Sequence, residues 1–301
     1  MAGAIEVDVA GRRLKLSNLE KVFYPGSGFT KAQVIDYYTR IAPVLLPHMK
    51  GRPLTLKRYP NGVDDKFFYE KNCPKHRPEW VQTAAIYSRH NKDNIDFCVV
   101  DDVPTLVWAA NLASIELHTS LARATDIQRP TMLVFDLDPG APATIKECCA
   151  VGLRVRDMFA ELGLQSFPKT SGSKGLQVYI PLNTAVTYEA TKPFALLIAQ
   201  HLEQETPRTV TSNMKKELRH GKVFVDWSQN DDHKTTVCVY SMRARERPTV
   251  STPVTWDEVE AHARGKLKEL AFVTDEVLAR VDKHGDLFAP LNKTKQKLPT
   301  L

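Results

Sequence analysis

The chain has 301 residues, 43% of them apolar and 25% charged, with 41 Lys plus Arg against 35 Asp plus Glu and a net charge of +6. Such hydrophobicity excludes a disordered chain, and the length suffices to bury a sizeable core in one large domain or two moderate ones. No apolar run approaches the roughly 18 residues that a spanning helix needs, and the opening MAGAIEVDVAGRR lacks the basic-then-apolar order of a signal peptide, so no membrane partner is expected.

In chain order, Thr30 ahead of KAQVIDYYTRI (residues 31–41) predicts a capped helix with Val34, Tyr37, Tyr38 and Ile41 on its apolar stripe. IDFCVV (95–100) reads as a strand. Residues 106–123 read as a second helix carrying Glu116-Leu117-His118. TMLVFDLD (131–138) is a strand, residues 143–163 a third helix ended by Gly163, and LQVYIPL (176–182) a strand. Residues 188–205 predict a fourth helix entered near Pro193, followed by the strands KVFVDW (222–227) and TTVCVY (235–240). The last stretch, LNKTKQKLPTL (291–301), has lysines and no acid and reads as a solvated end. Nothing marks a boundary, so a single domain over residues 1–301 is expected, with a tail from about 288 and α/β layers around a mixed sheet. Cys73, Cys98, Cys148, Cys149 and Cys238 are odd in number and lack framework spacing, which predicts reduced thiols and a cytoplasmic location.

The densest chemical signal is Asp136-Leu137-Asp138 at the end of an apolar strand. A period of two puts both carboxylates on one face. At 4 Å and an effective dielectric near 20, two such charges repel by about 4 kcal/mol, so a cation between them is expected if both stay ionised. Asp226 ends a similar strand, and the three acids suit hard divalent cations. The plainer reading is a strand end that turns at Pro139-Gly140. Thr170-Ser171-Gly172-Ser173-Lys174-Gly175, between the strand-like LQSFPK (164–169) and LQVYIPL, has the composition of a phosphate cradle without Walker spacing. Lys57, Arg58, Lys215, Lys216, Arg219, Lys222, Lys234, Arg243 and Arg245 occupy strand and loop positions, which suits a polyanion. His118 by spacing alone is a structural histidine. Phe67-Phe68-Tyr69 is core or a stacking platform, with core favoured. Cys73-Pro74-Lys75-His76 has no second pair at a spacing that would make a zinc site.

Taken together, LSNLEKVFYP (16–25), GRPLTLKRYPNGV (51–63), Glu-Leu-His, VFDLDPG, TSGSKGL, GKVFVDWSQN, KTT and YSMRAR resemble the polymerase domain of bacterial DNA ligase D, a branch of the archaeo-eukaryotic primase superfamily that serves non-homologous end joining. The resemblance runs from Leu16 to about Leu287. It implies an α+β primase-polymerase-like core with mixed sheets forming a catalytic cleft flanked by helices. It also implies template-dependent addition of NTPs or dNTPs at gaps and double-strand-break ends, using two divalent ions, manganese in preference to magnesium. By the same resemblance Asp136, Asp138 and Asp226 are the metal-binding catalytic acids. Ser171, Gly172, Lys174, His118, Arg219 and Arg243 surround the triphosphate. Asn18, Lys21 and Lys31 hold the 5′-phosphate beyond the gap, where Lys31 at a helix start suits an anion. Lys57 and Arg58 contact backbone phosphate, and Phe68 and Tyr69 stack on the template.

One position departs from the family. Gln177 stands where the family usually has a His that faces the nucleotide phosphates, which implies reduced activity or an altered nucleotide preference. The implied partners are broken or gapped DNA, a DNA ligase and a Ku-like end-binding protein, in a bacterial cytoplasm at the nucleoid. The length leaves no room for ligase or nuclease modules, so a stand-alone polymerase or one domain of a longer chain is expected. Two rivals stay open: a DNA end-binding module with weak or lost catalysis, and a phosphatase of the Asp-x-Asp type.

Overall fold

The computed structural model describes residues 4–89 and 91–299. The chain divides into two compact units, Met1–Ser120 with Thr235–Val250 and Val273–Gly285, and Leu121–Lys234 with Ser251–Phe272 and Asp286–Leu301.

The first unit opens with a hairpin, β1 (Ile5–Val9) and β2 (Arg12–Leu16), followed by the short pair β3 (Val22–Tyr24) and β4 (Phe29–Thr30). Helix α1 (Lys31–Met49) starts as its sequence predicts. Thr30 accepts from the Gln33 amide and the Gln33 side chain returns a bond to the Thr30 amide, so both orphan donors are satisfied. Val34, Tyr37, Tyr38, Ile41 and Leu45 are its buried face. There the hydroxyl of Tyr38 donates to Ile115 O (2.6 Å) and that of Tyr37 to Tyr240 O (2.8 Å). Next come β5 (Leu54–Arg58), β6 (Phe68–Glu70), β7 (Thr83–Ser88), β8 (Asp93–Cys98), α2 (Val103–Asn111) and β9 (Ser114–Thr119). With the later β17 (Thr236–Val237) these strands make a six-stranded sheet in the order β17-β9-β5-β8-β7, and β6 is paired to β5.

Two expectations fail in this unit. The helix expected over residues 106–123 ends at Asn111; Ala113 takes a positive φ of 64°, and the chain re-enters the sheet as β9. Glu116 and His118 are therefore two apart on a strand, sharing a face opposite Ile115 and Leu117. Nor are all the cysteines reduced, because Cys73 and Cys98 form a disulfide. It ties the segment after β6 to the end of β8, and spacing alone does not announce such a long-range pair. Cys148, Cys149 and Cys238 are buried thiols outside that disulfide.

The second unit holds β10 (Ala122–Arg123), β11 (Asp126–Pro130), β12 (Met132–Pro139), α3 (Ile145–Glu161), β13 (Phe167–Thr170), β14 (Leu176–Pro181), α4 (Tyr188–Glu205), β15 (Val210–Thr211) and β16 (Val223–Asp226). Its five-stranded sheet runs β13-β14-β12-β16-β15. It is mixed as expected, because β15 and β16 are parallel and the other pairs antiparallel. Leu133, Phe135 and Leu137 of β12 point into a core with Phe159 of α3, Val178 and Ile180 of β14 and Phe194 of α4. The intervening Asp136 and Asp138 thus face the other way. Helix α4 starts at Tyr188, after Thr187 as its cap and about one turn and a half ahead of the expected entry, so Pro193 lies inside it. Helix α5 (Trp256–Ala263) belongs to this unit and α6 (Thr274–His284) to the first. The stretch read as a solvated end is packed: Phe288 and Leu291 are buried, and Gln296 bonds the Gln165 and Pro181 carbonyls. Its last two residues lie outside the described ones.

Candidate active site

Strand β12 is central, so its two neighbours set what stands beside the acids. Asp136 is opposite Gln177 of β14 on one side and opposite Asp226 of β16 on the other. Directly opposed residues have Cβ atoms about 4.5–5.5 Å apart, and like charges in that relation repel. The consequence appears in Asp136. Burial, then the charges of Asp138 and Asp226, push its carboxyl up to about 8, against smaller opposing effects of a Gln177 hydrogen bond and the Lys169 charge. Its Oδ1 is buried, and among the described residues no group bonds it. Asp226 is better supplied, accepting from Ser228 N (2.9 Å), Ser228 Oγ (2.6 Å) and Gln229 Nε2 (2.9 Å). The two-residue spacing thus does put Asp136 and Asp138 on one face, with Asp226 brought in from a strand about ninety residues on.

Gln177 is buried rather than presented at the surface. Its Oε1 accepts from Lys169 Nζ and from the Tyr179 hydroxyl (3.3 Å), and Lys169 Nζ also donates to Ser251 Oγ (2.6 Å). With the carbonyl end taken, the amide end is left for Asp136. Lys169 is a fully buried ammonium that sequence reading passes over. Its signal is faint: a single lysine in the four-residue strand Phe167–Thr170.

The loop 171–175 joins β13 to β14 as a hairpin. Ser171 Oγ accepts from the amides of Ser173 (3.2 Å) and Gly175 (3.1 Å), folding the loop around itself, and Lys174 stands exposed at the tip. Gly172 has φ of +67°. Gly175 serves a close approach within the protein: a Cβ there would fall 2.1 Å from Leu137 O. On the other side of β12, Gly140 abuts the Arg219 carbonyl, where a Cβ would fall 1.8 Å from the oxygen. Arg219 donates to Met214 O (2.7 Å) and lays its guanidinium over Phe224 (3.7 Å).

The first unit gathers a second set. Glu116 is buried, and Lys57 Nζ (3.3 Å), His118 Nε2 (3.0 Å) and Arg243 Nε (3.3 Å) surround its carboxylate. Burial would raise the Glu116 carboxyl. The His118 hydrogen bond and the Arg243, His118 and Lys57 charges outweigh it and hold the group well below the usual carboxylate range. His118 is moved down, first by burial, with Glu116 opposing. Phe67, Phe68 and Tyr69 are 49%, 44% and 56% exposed, so the core reading of this run is wrong. Strand β6 is at the margin of its sheet and leaves these rings uncovered, with Lys57 Nζ 4.3 Å from the Phe67 ring centre and the Arg58 guanidinium 5.2 Å from that of Phe68. Arg58 also pairs with Glu70 (2.8 Å).

The third cluster lies at the start of α1. Lys21 O accepts from Lys31 N (2.8 Å) and Leu19 O from Ala32 N (2.9 Å), which draws the 17–21 segment across the helix N-terminus. Lys31 Nζ donates to Ser17 O (2.7 Å) and Lys21 Nζ to Asn61 Oδ1 (2.8 Å). Asn18 is exposed, with φ of +54°. Burial, then the Lys21 and Arg58 charges, pull the Lys31 ammonium down to about 8. Cations beside a helix N-terminus favour negative charge there.

Among the described residues, the ligand atoms of Asp231, Asp232 and His233 form a carboxylate–imidazole group within 4.8 Å. Asp231 is already paired with Lys192 and His233, and Asp232 with Gln128. Among the described residues no helix is long and apolar enough to cross a membrane.

Residues 30–288 match the family model of the LigD primase-polymerase domain. The chain is 45% identical over 282 residues to the multifunctional non-homologous end joining protein LigD of Mycolicibacterium smegmatis, covering 93% of this chain and 36% of that one. It is 32% identical over 288 residues to the bifunctional LigD of Bacillus subtilis, covering 95% and 45%. The chain thus spans less than half the length of these relatives. Among solved structures it is similar to the polymerase domain of Mycobacterium tuberculosis Ligase D in complex with DNA. There the TM-score is 0.86 at 41% identity, over 94% of this chain and 99% of that one.

Proposed function

Because the chain belongs to the LigD primase-polymerase family, we propose that it is a template-dependent nucleotidyltransferase that adds ribo- or deoxynucleotides to primer 3′ ends at short gaps and broken DNA ends. The observation that carries the reading is the register of β12, which sets Asp136 against Asp226 with Asp138 on the same face. A phosphatase of the Asp-x-Asp type has no use for the hairpin beside the acids, and it would have Thr or Val where Gly140 stands. An end-binding module with lost catalysis has no reason to keep all three.

Family membership implies a divalent metal, and the donors fit one. They are carboxylate oxygens, and Asp136 Oδ1 is buried with no partner among the described residues. Asp136, Asp138 and Asp226 would hold two ions, manganese in preference to magnesium. When bound, such ions lower the pKa of a primer hydroxyl and offset the charge of a triphosphate in an in-line displacement. The side chains do the rest. Lys169 and Tyr179 fix Gln177, and Gln177 orients Asp136. Ser171, Gly172, Lys174 and Arg219 are the groups of the second unit that suit nucleotide phosphates, and His118 and Arg243 are those of the first. Lys57 and Arg58 serve the DNA backbone, Phe68 and Tyr69 stack on the template, and Asn18, Lys21 and Lys31 take the downstream 5′-phosphate. A ligase and a Ku-like end-binding protein are the partners that such a role requires, in a cytoplasm at the nucleoid.

The test is primer extension on a gapped duplex, with and without the downstream 5′-phosphate, comparing manganese with magnesium and ribo- with deoxynucleotides. Extension that needs the template and manganese is expected. No extension with any metal would overturn the reading.

A further inference from the structure

Glu116 is a carboxylate inside a sheet, flanked in sequence by Ile115 and Leu117, which are fully buried. A charge there costs stability unless it is paired. It is paired many times over. Oε1 accepts from Tyr59 hydroxyl (3.1 Å), Ala244 N (3.2 Å) and Lys57 Nζ (3.3 Å). Oε2 lies 3.0 Å from His118 Nε2 and 3.3 Å from Arg243 Nε. These donors come from β5 and the loop after it, from β9 and from the 240–250 segment, so one carboxylate ties together parts of the chain far apart in sequence. A carboxylate offers no proton, so the ring nitrogen facing it must carry one.

We propose that Glu116 is a positioning residue for phosphate recognition: it holds His118 with its Nε2–H toward the carboxylate and its Nδ1 turned away, and keeps Lys57 and Arg243 beside it as one pre-arranged cationic cluster. The inference rests on reading His118 and Arg243 as nucleotide-contacting groups. Lys57 and Arg243 repel each other when brought this close; the central anion makes their closeness stable before any phosphate arrives. Preorganisation of this kind lowers the cost of binding rather than adding a contact.

The test compares Glu116→Gln with Glu116→Asp in the full chain. The first removes the charge at constant size. The second keeps the charge but draws it back by one methylene, and serves if the first fails to fold. Each is expected to raise KM for the nucleotide about tenfold or more while kcat changes little, the size of one lost charge-assisted interaction. In combination with His118→Ala, the effect should be much less than the product of the single effects, because both remove the same contact. Nitrogen-15 spectra of labelled histidine should show His118 protonated at Nε2 in the parent and altered in Glu116→Gln. A folded variant with unchanged KM, or losses that multiply with those of His118→Ala, would leave Glu116 a purely structural residue and overturn the inference. If the parent fails to extend primers, the polymerase reading fails by itself. Equilibrium binding of ATP with manganese to parent and variant, with the histidine spectra, then decides the inference.

Discussion

Replacing Asp136 by Asn, an isostere without the charge, should abolish nucleotide addition and at the same time make the metal-free protein more stable. The folded carboxyl is pushed up to about 8 by burial and then by the Asp138 and Asp226 charges, whereas an unfolded Asp titrates near 3.9. Between those pH values the folded chain keeps a proton that the unfolded chain has released, so stability falls as pH rises from about 4 to about 8. At about pH 7 the penalty has built up over roughly three pH units above the unfolded value, a ceiling of about 4 kcal/mol. The side chain is only half-buried, so water screens part of this, and about 2 kcal/mol is the expected gain. That corresponds to roughly 4–8 °C for a chain of this class. Thermal unfolding followed by circular dichroism in excess chelator reads it directly. The gain should shrink at about pH 5, which lies little more than one unit above the unfolded value. Manganese should raise the parent's melting temperature and leave the variant's nearly unchanged. A variant that melts below the parent in chelator, or gains equally at both pH values, would refute the argument from repulsion.

Other perturbations address the remaining clusters. Converting Lys21 and Lys31 together to Ala should erase the preference for a gap with a downstream 5′-phosphate, worth roughly one to two decades in affinity, while barely changing binding to the unphosphorylated gap. Because Lys31 is pulled down to about 8, the parent's preference should weaken as pH rises past that value, and equal losses on both substrates at two salt concentrations would dismiss the pocket. Phe68→Ala should weaken activity about tenfold or more at short gaps and overhangs and much less on long primed templates, since base stacking is worth roughly 1–3 kcal/mol; a uniform loss with a lowered melting temperature would argue for packing instead. Gln177→His should cost about 1–3 kcal/mol of stability, because it takes the carbonyl acceptor from the buried Lys169 ammonium. A gain in activity from that change would show that residue 177 faces the nucleotide after all.

The second unit was largely legible because its signals are local. Alternation in MLVFDLDP places Leu133, Phe135 and Leu137 inward and the acids outward without any knowledge of neighbours. Thr30 and Gln33 likewise cap α1 within four residues. What escaped depends on partners distant in sequence. Residues 106–113 are apolar apart from Asn111, and a run of that kind carries no period to show where a helix becomes a strand; the break at Ala113 is a backbone event. Glu116 looked like one more charge on a helix because Lys57 and Arg243, the residues that explain its burial, lie far off in the chain. Phe67–Tyr69 looked like core because composition does not say that β6 ends up at a sheet margin. The Cys73–Cys98 pairing was hidden for the same reason.

The two glycines that flank the acids limit how this enzyme can be altered. Gly140 lets the Arg219 carbonyl rest against one end of β12, and Gly175 lets the Leu137 carbonyl rest against the hairpin that carries Lys174. Any side chain at either position would drive a segment bearing a basic residue away from the acid strand by about the bulk of a methyl group, since no flexible neighbour is available to yield. The relative placement of acids and cations is thereby written into main-chain contacts and not into side-chain choices. A library randomised across residues 136–140 and 171–175 should return glycine at these two sites under almost any selection, with freedom confined to outward positions such as Ser173. Specificity can drift here by exchanging what the loops display, while their distance from the acids is inherited unchanged.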